Sequence, residues 1–164
     1  MQRRHTILPV GAATSSRPAN MFENILVAIN LAKTDSWSAA LPVAVSLARD
    51  SAAHLTLGTI IPQWVSARDA DWSWDADRRM EDVARYRLEQ IARERNCTDF
   101  GLHVAWGSVP SAITEMADDT DADLIVLGSH RPTFLDFLRQ SNEMKVARRA
   151  HCSVLIVRDG SDSE

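Results

Sequence analysis

Within residues 123–158, two short apolar runs, Leu124-Ile125-Val126-Leu127 and Val154-Leu155-Ile156-Val157, enclose a glycine, a loop and a helix. Four apolar residues in a row, bracketed by polar ones, read as a strand buried on both faces of a parallel sheet. The first run stops at Gly128-Ser129-His130-Arg131. Pro132 to Gln140 then reads as a loop, and Ser141 opens a helix from Asn142 to Arg149. Gly128 has no Cβ to hold a bound anion or sugar away from the backbone. A glycine at the carboxyl end of a buried strand, with a Ser ahead at a helix start, is a common phosphate-holding arrangement in α/β proteins. The alternatives are simpler: a plain strand-to-loop turn at Gly128 and an ordinary N-cap at Ser141.

The rest of the chain alternates strand and helix signals. Ile25 to Ile29 is a first buried strand, ending at Asn30. Ser36 to Arg49 has helical period, with Trp37, Leu41, Ala44, Val45 and Ala48 on one face. Pro42 kinks that helix or delays its start. Leu55 to Ile61 is a second strand, closed by Pro62. From Gln63 to Asp75 periodicity is lost around Trp64, Trp72 and Trp74, which predicts a loop. The longest helix is Ala76 to Arg95, its apolar stripe Met80, Val83, Ala84, Leu88 and Ile91, its other face a solvated mixture of charges. Phe100 to Trp106 is a third strand, Pro110 to Ala117 a short helix with Ile113, Met116 and Ala117 inward, and Leu124 to Leu127 the fourth strand. Strands separated by helices imply right-handed crossovers and a parallel sheet covered on both faces.

Composition bounds the function. A chain of 164 residues is most simply one domain with a real core, and a formal charge of -4 argues against a nucleic-acid surface. Two cysteines far apart, Cys97 and Cys152, make neither a disulfide framework nor a zinc site and suit reduced thiols in the cytoplasm. No apolar run nears the ~20 residues that span a bilayer. Residues 1–20 stand apart, basic at first and then small and polar. They read as a disordered tail, or as sequence upstream of a true start at Met21, which leaves residues 21–160 as the domain.

Gly-Ser-His at 128–130, Ser141, the following helix and Ala150-His151-Cys152-Ser153-Val154-Leu155-Ile156-Val157-Arg158 together resemble the C-terminal signature of the universal stress protein (UspA-type) family. Nucleotide-binding members carry G-x2-G-x9-G-[ST]. Here Gly128 and Ser141 match, Arg131 and Gln140 replace the second and third glycines, and the loop is one residue shorter. Ser129-His130-Arg131-Pro132 with Ser141-Asn142 downstream is similar to the F- and G-type branch of small bacterial members. The resemblance implies a flavodoxin-like (Rossmann-like) α/β fold, an open five-stranded parallel sheet of order 3-2-1-4-5 with four helices. It also implies ATP or another adenine nucleotide, with or without Mg2+, bound beyond the strand ends. Ala28 and Ile60 match apolar positions of the adenine site. Asn30 stands where the family usually has Asp, keeping an acceptor and adding a donor. His130 and Arg131 either contact phosphates or form an exposed loop pair. With Gly128, Gln140, Ser141 and Asn142 they complete the expected nucleotide-binding set.

Catalysis is not expected, and a weak ATPase or autophosphorylating activity would rest on the family likeness alone, with no general base placed by the sequence. There is no Gly-x-Ser-x-Gly elbow and no Walker-type Gly-Lys-[Ser/Thr]. The first strand lacks the Asp-Asp pair of a receiver domain and the Ser-Gly-Gly loop of ATP pyrophosphatases. His54, His103 and His151 lack metal-ligand spacing and read as structural. The family likeness leaves a regulatory role in the stress response, either through a bound nucleotide or as a pure interaction module, with an unidentified regulatory protein as partner. An apolar fifth strand at the sheet edge invites pairing with its equal, and the family resembles this by joining fifth strands across a two-fold axis. A homodimer is therefore expected.

Overall fold

A computed structural model describes residues 21–34, 37–62, 74–129 and 141–158, with Trp74 as backbone only. The elements run β1 (Asn24–Ala28), α1 (Ala40–Ser51), β2 (His54–Ile61), α2 (Trp74–Glu94), β3 (Phe100–Trp106), α3 (Val109–Asp119), β4 (Leu124–Ser129), α4 (Asn142–Arg149) and β5 (Ser153–Arg158). All strand pairs are parallel, in the order β3-β2-β1-β4-β5. The flavodoxin-like sheet of the sequence reading is therefore the fold.

Alternation along β1 divides the core in two. Ile25 and Val27 point to a cluster with Leu41 and Ala44 of α1 and Leu88 and Ala92 of α2. Leu26 points the other way, to Ile113 and Met116 of α3 and Val146 of α4. A strand buried on both faces must be apolar throughout, which is why β1 and β4 read as unbroken runs. Each such fully buried side chain contributes about 1.5–3 kcal/mol relative to exposure.

The sheet is tied at both ends. At the amino end the Asp123 carboxylate accepts the Glu23 and Asn24 amides at 2.7 and 3.2 Å, joining the starts of β1 and β4. At the carboxyl end the Ile29 amide donates to the Gly58 carbonyl at 2.7 Å, just past the end of β1. After β3 the chain turns at Gly107, whose φ of +137° is open only to glycine, and its amide donates to the Ile61 carbonyl.

Several boundaries differ from the sequence expectation. The first helix begins at Ala40 and not Ser36, because Pro42 falls in the first turn, where its missing N–H costs nothing. The helix expected from Ala76 starts at Trp74, so Trp74 and Asp75 belong to it and not to the preceding loop, with Asp75 and Asp77 favourable at the positive end. Val83 leaves the inward stripe and is exposed. It lies five residues before the buried Leu88, about 140° round the helix. The fourth strand continues through Gly128 and Ser129, which pair with Val157 and Arg158. Ladder hydrogen bonds are made by the backbone, so pairing outlasts the apolar signal. The expected tail of residues 1–20, Trp64, Trp72, His130, Arg131 and Gln140 lie outside the described residues.

Candidate functional site

Order 3-2-1-4-5 makes β1 and β4 neighbours whose crossovers leave in opposite directions, and a crevice opens there at the carboxyl edge. The register shows how. The last β1–β4 pair is Val27 with Val126, whereas β4 stays paired with β5 through Leu127, Gly128 and Ser129. Beyond Val27 the two central strands part. The cavity between them is about 200 Å³. One wall is Ala28 and Asn30 from the end of β1, with Ile60 and Pro62 from β2. The other is Leu127 and Gly128 of β4, while α3 closes the bottom with Val109 and Ile113. The first turn of α4 presents Asn142 and Glu143 at its outer end.

Of the residues expected from the sequence, Ala28, Asn30, Ile60, Gly128 and Asn142 meet in this crevice. Ser141 does not line it. It caps α4, its hydroxyl accepting the Met144 amide at a long 3.4 Å. A bond of that length is weak and leaves the hydroxyl readily redirected. His130, Arg131 and Gln140 belong to residues that are not described.

Asn30 is more constrained than its exposure suggests. Its Oδ1 accepts the Ala32 amide at 3.0 Å, the Asx turn that carries the chain from β1 toward α1. Its backbone carbonyl accepts the Lys33 amide at 3.1 Å and the Trp37 Nε1–H at 3.0 Å. The Oδ1 acceptor expected to meet a ligand thus already holds the turn with one of its two lone pairs, and the Nδ2 donor adds to what Asn30 can offer a ligand.

Val109, Ile113 and Glu143 were not anticipated. The first two come from α3, which only the crossover brings beneath β1. Glu143 had a visible signal: it is the second residue of a helix whose cap was already placed at Ser141. Among the described residues lining the crevice it is the single ionisable side chain. The arrangement is therefore an apolar slot with one amide donor at the β1 end, and at the other a helix N-terminus whose positive end is offset by a carboxylate.

The two thiols lie away from this edge. Burial pushes the Cys97 thiol above its ordinary value. Cys152 is raised by burial first, then by the negative charges of Asp118 and Asp123. No described helix is long and apolar enough to cross a membrane.

Comparison with known proteins agrees with the fold. A universal stress protein crystallised in complex with cAMP superposes with a TM-score of 0.62 at 23% identity, covering 84% of this chain and 97% of that one. The universal stress protein from Archaeoglobus fulgidus in complex with dAMP gives 0.56 at 19% identity, covering 84% and 98%. In sequence, universal stress protein G of Salmonella typhimurium is 43% identical over 56 residues. That match spans 34% of this chain and only 39% of the relative's length. The model of the universal stress protein family matches residues 21–158, and the chain belongs to that family.

Proposed function

We propose that the chain is a regulatory adenine-nucleotide-binding protein of the stress response, acting in the cytoplasm without rapid turnover. The observation that carries this is the crevice where β1 and β4 part, lined by Ala28, Ile60 and Ile113, with Asn30 at one end and α4 at the other. An apolar slot with a flanking amide suits a purine, whose faces are apolar and whose edge nitrogens accept hydrogen bonds. At about 200 Å³ the slot is smaller than the roughly 300–1,000 Å³ of whole-ligand sites. It suits the base end of a nucleotide, with the phosphates outward toward Ser141. The cAMP and dAMP complexes of structural relatives support an adenine nucleotide as the ligand class. ATP is the member proposed, with or without Mg2+, held further by Arg131 and hindered by Gln140.

Glu143 favours a second reading. A carboxylate in the first turn of α4 repels phosphate, so the crevice of an interaction module that has given up nucleotide would look like this too. In either reading a second copy of the chain is the proposed partner, paired along β5. Of the four apolar residues in β5, Val154, Leu155 and Val157 pack on the buried clusters of described residues, and the half-buried Ile156 is not among them. An apolar side chain on an edge strand, outside the clusters of described residues, is the contact proposed for a partner.

Purified protein denatured by heat or acid should release adenine nucleotide detectable by chromatography, and the empty protein should take up ATP in a saturable titration. Gln140→Gly should tighten that binding and Arg131→Ala weaken it. No uptake at millimolar ATP would end the nucleotide reading and leave the interaction module.

A further inference from the structure

A larger cavity, about 520 Å³, lies on the opposite face of the sheet. It is bounded by the ends of β1 and β2 and by the amino-terminal half of α2. Alternation along β2 separates it from the nucleotide crevice: Thr59 and Ile61 face α2, whereas Ile60 packs on the α3 side. Among the described residues, the two cavities share Asn30, Ile60 and Pro62 as a common wall.

Two polar groups at its floor are engaged within the chain. The Thr59 hydroxyl donates to the Ile29 carbonyl at 2.8 Å, and Asn30 Oδ1 accepts the Ala32 amide. What remains is an apolar chamber of a size that suits a small ligand. Ile61 and Thr59 are nearly fully buried at its base, and Val83, 57% exposed, stands at its mouth. Two arginines, Arg79 and Arg87, flank Val83 on α2, about 12 Å apart along the helix. Neither guanidinium has a hydrogen-bond or ion-pair partner among the described residues. No described acidic side chain lines the cavity, although the chain as a whole carries a charge of -4.

We propose that this cavity binds a small amphiphile with an apolar body and one anionic head, a medium-chain carboxylate in free solution. The body fills the chamber against Ile61 and Met80, where burial of apolar surface supplies the driving force. The carboxylate stays at the mouth and pairs with Arg79 or Arg87, each able to bind it through two N–H groups. The depth of the chamber, with its floor nearly fully buried, favours a small molecule over a flat protein surface.

Sodium decanoate, below its micellar concentration, titrated calorimetrically into the full chain tests this. Saturable one-to-one binding is expected, with decanol at least about tenfold weaker and decanoate at least about tenfold weaker for the double variant Arg79→Glu/Arg87→Glu. Both arginines are exposed, so the double variant should keep its melting temperature, which differential scanning calorimetry checks. Absence of saturable heat overturns the proposal. Equal binding of decanol, or full retention by the double variant, removes the role of the arginines and overturns it as well. A rise in mass with concentration that Val83→Asp abolishes, without decanoate binding, would assign this face to a second copy instead.

Discussion

The Thr59 hydroxyl donates to the carbonyl of Ile29 at 2.8 Å, a buried bond between β2 and the residue just past β1. It lies where the strands separate into the two cavities, so it fixes the floor of one and the wall of the other. Thr59→Val has nearly the same shape but leaves the carbonyl unpaired. Urea unfolding should show a loss of about 1–3 kcal/mol with an unchanged slope.

At the opposite edge, Asp123 joins the amino ends of β1 and β4 through two backbone amides. Bonds to a charged acceptor are worth more than neutral ones, but the Glu23 amide can turn to water when its partner is removed. Asp123→Ala should therefore cost about 1–2 kcal/mol in the same assay, and Asp123→Asn, which keeps one acceptor oxygen, less.

Glu143 sets a charge test on the crevice. Glu143→Gln removes a negative charge from the first turn of α4 and should tighten ATP by roughly two- to fivefold while leaving adenosine unchanged. The difference should shrink as salt rises toward 1 M, where charges are screened within about 3 Å. Equal gains for ATP and adenosine would show that Glu143 acts through shape and not charge.

Ile156 reports on pairing of copies. Ile156→Lys places a charge on the β5 edge at a half-buried residue outside the two clusters of described residues. Light scattering should give one chain's mass for the variant and twice that for the parent across the micromolar range. A parent that stays at one chain's mass removes the β5 dimer.

The thiols give a pH dependence with a defined sign. Both Cys97 and Cys152 are raised in the folded chain, so the fold holds their protons more tightly than the unfolded chain does. Their contribution is complete below the usual thiol value of 9.0 and is lost as pH climbs through the folded values. Stability should fall above about pH 9, less steeply in Cys152→Ala. At pH 8, native Cys97 and Cys152 should react with iodoacetamide more slowly than free cysteine, as mass spectrometry will show.

Where local signals and packing agree, the chain is legible from its residues. Phe100–Trp106 and Asn142–Arg149 fall on their expected bounds because β3 ends at Gly107 and α4 begins behind a capping Ser141. Asn30 and Gly128 line one crevice because strand ends at a switch point face each other there, whereas Ala28 and Ile60 are expected in it only through the family likeness. Val109 and Ile113 were missed because their closeness to Ala28 exists only after the crossover. Val83 was misassigned because a stripe of apolar residues at helical spacing does not say where its edge lies. The second cavity follows from that edge, so no motif announces it.

The β4–β5 ladder has one more consequence. Gly128, at the wall of the crevice, lies in register with Val157, and Ser129 with Arg158, on the strand that forms the free edge. In a chain that pairs along β5, the backbone facing a ligand and the backbone facing the second copy are rungs of one ladder. Coupling between two binding events is reciprocal. If pairing stiffens these rungs into the shape the ligand selects, dilution becomes an antagonist of ligand binding, and the ligand lowers the concentration at which copies associate. The abundance of the protein would then act as an effector of its own occupancy.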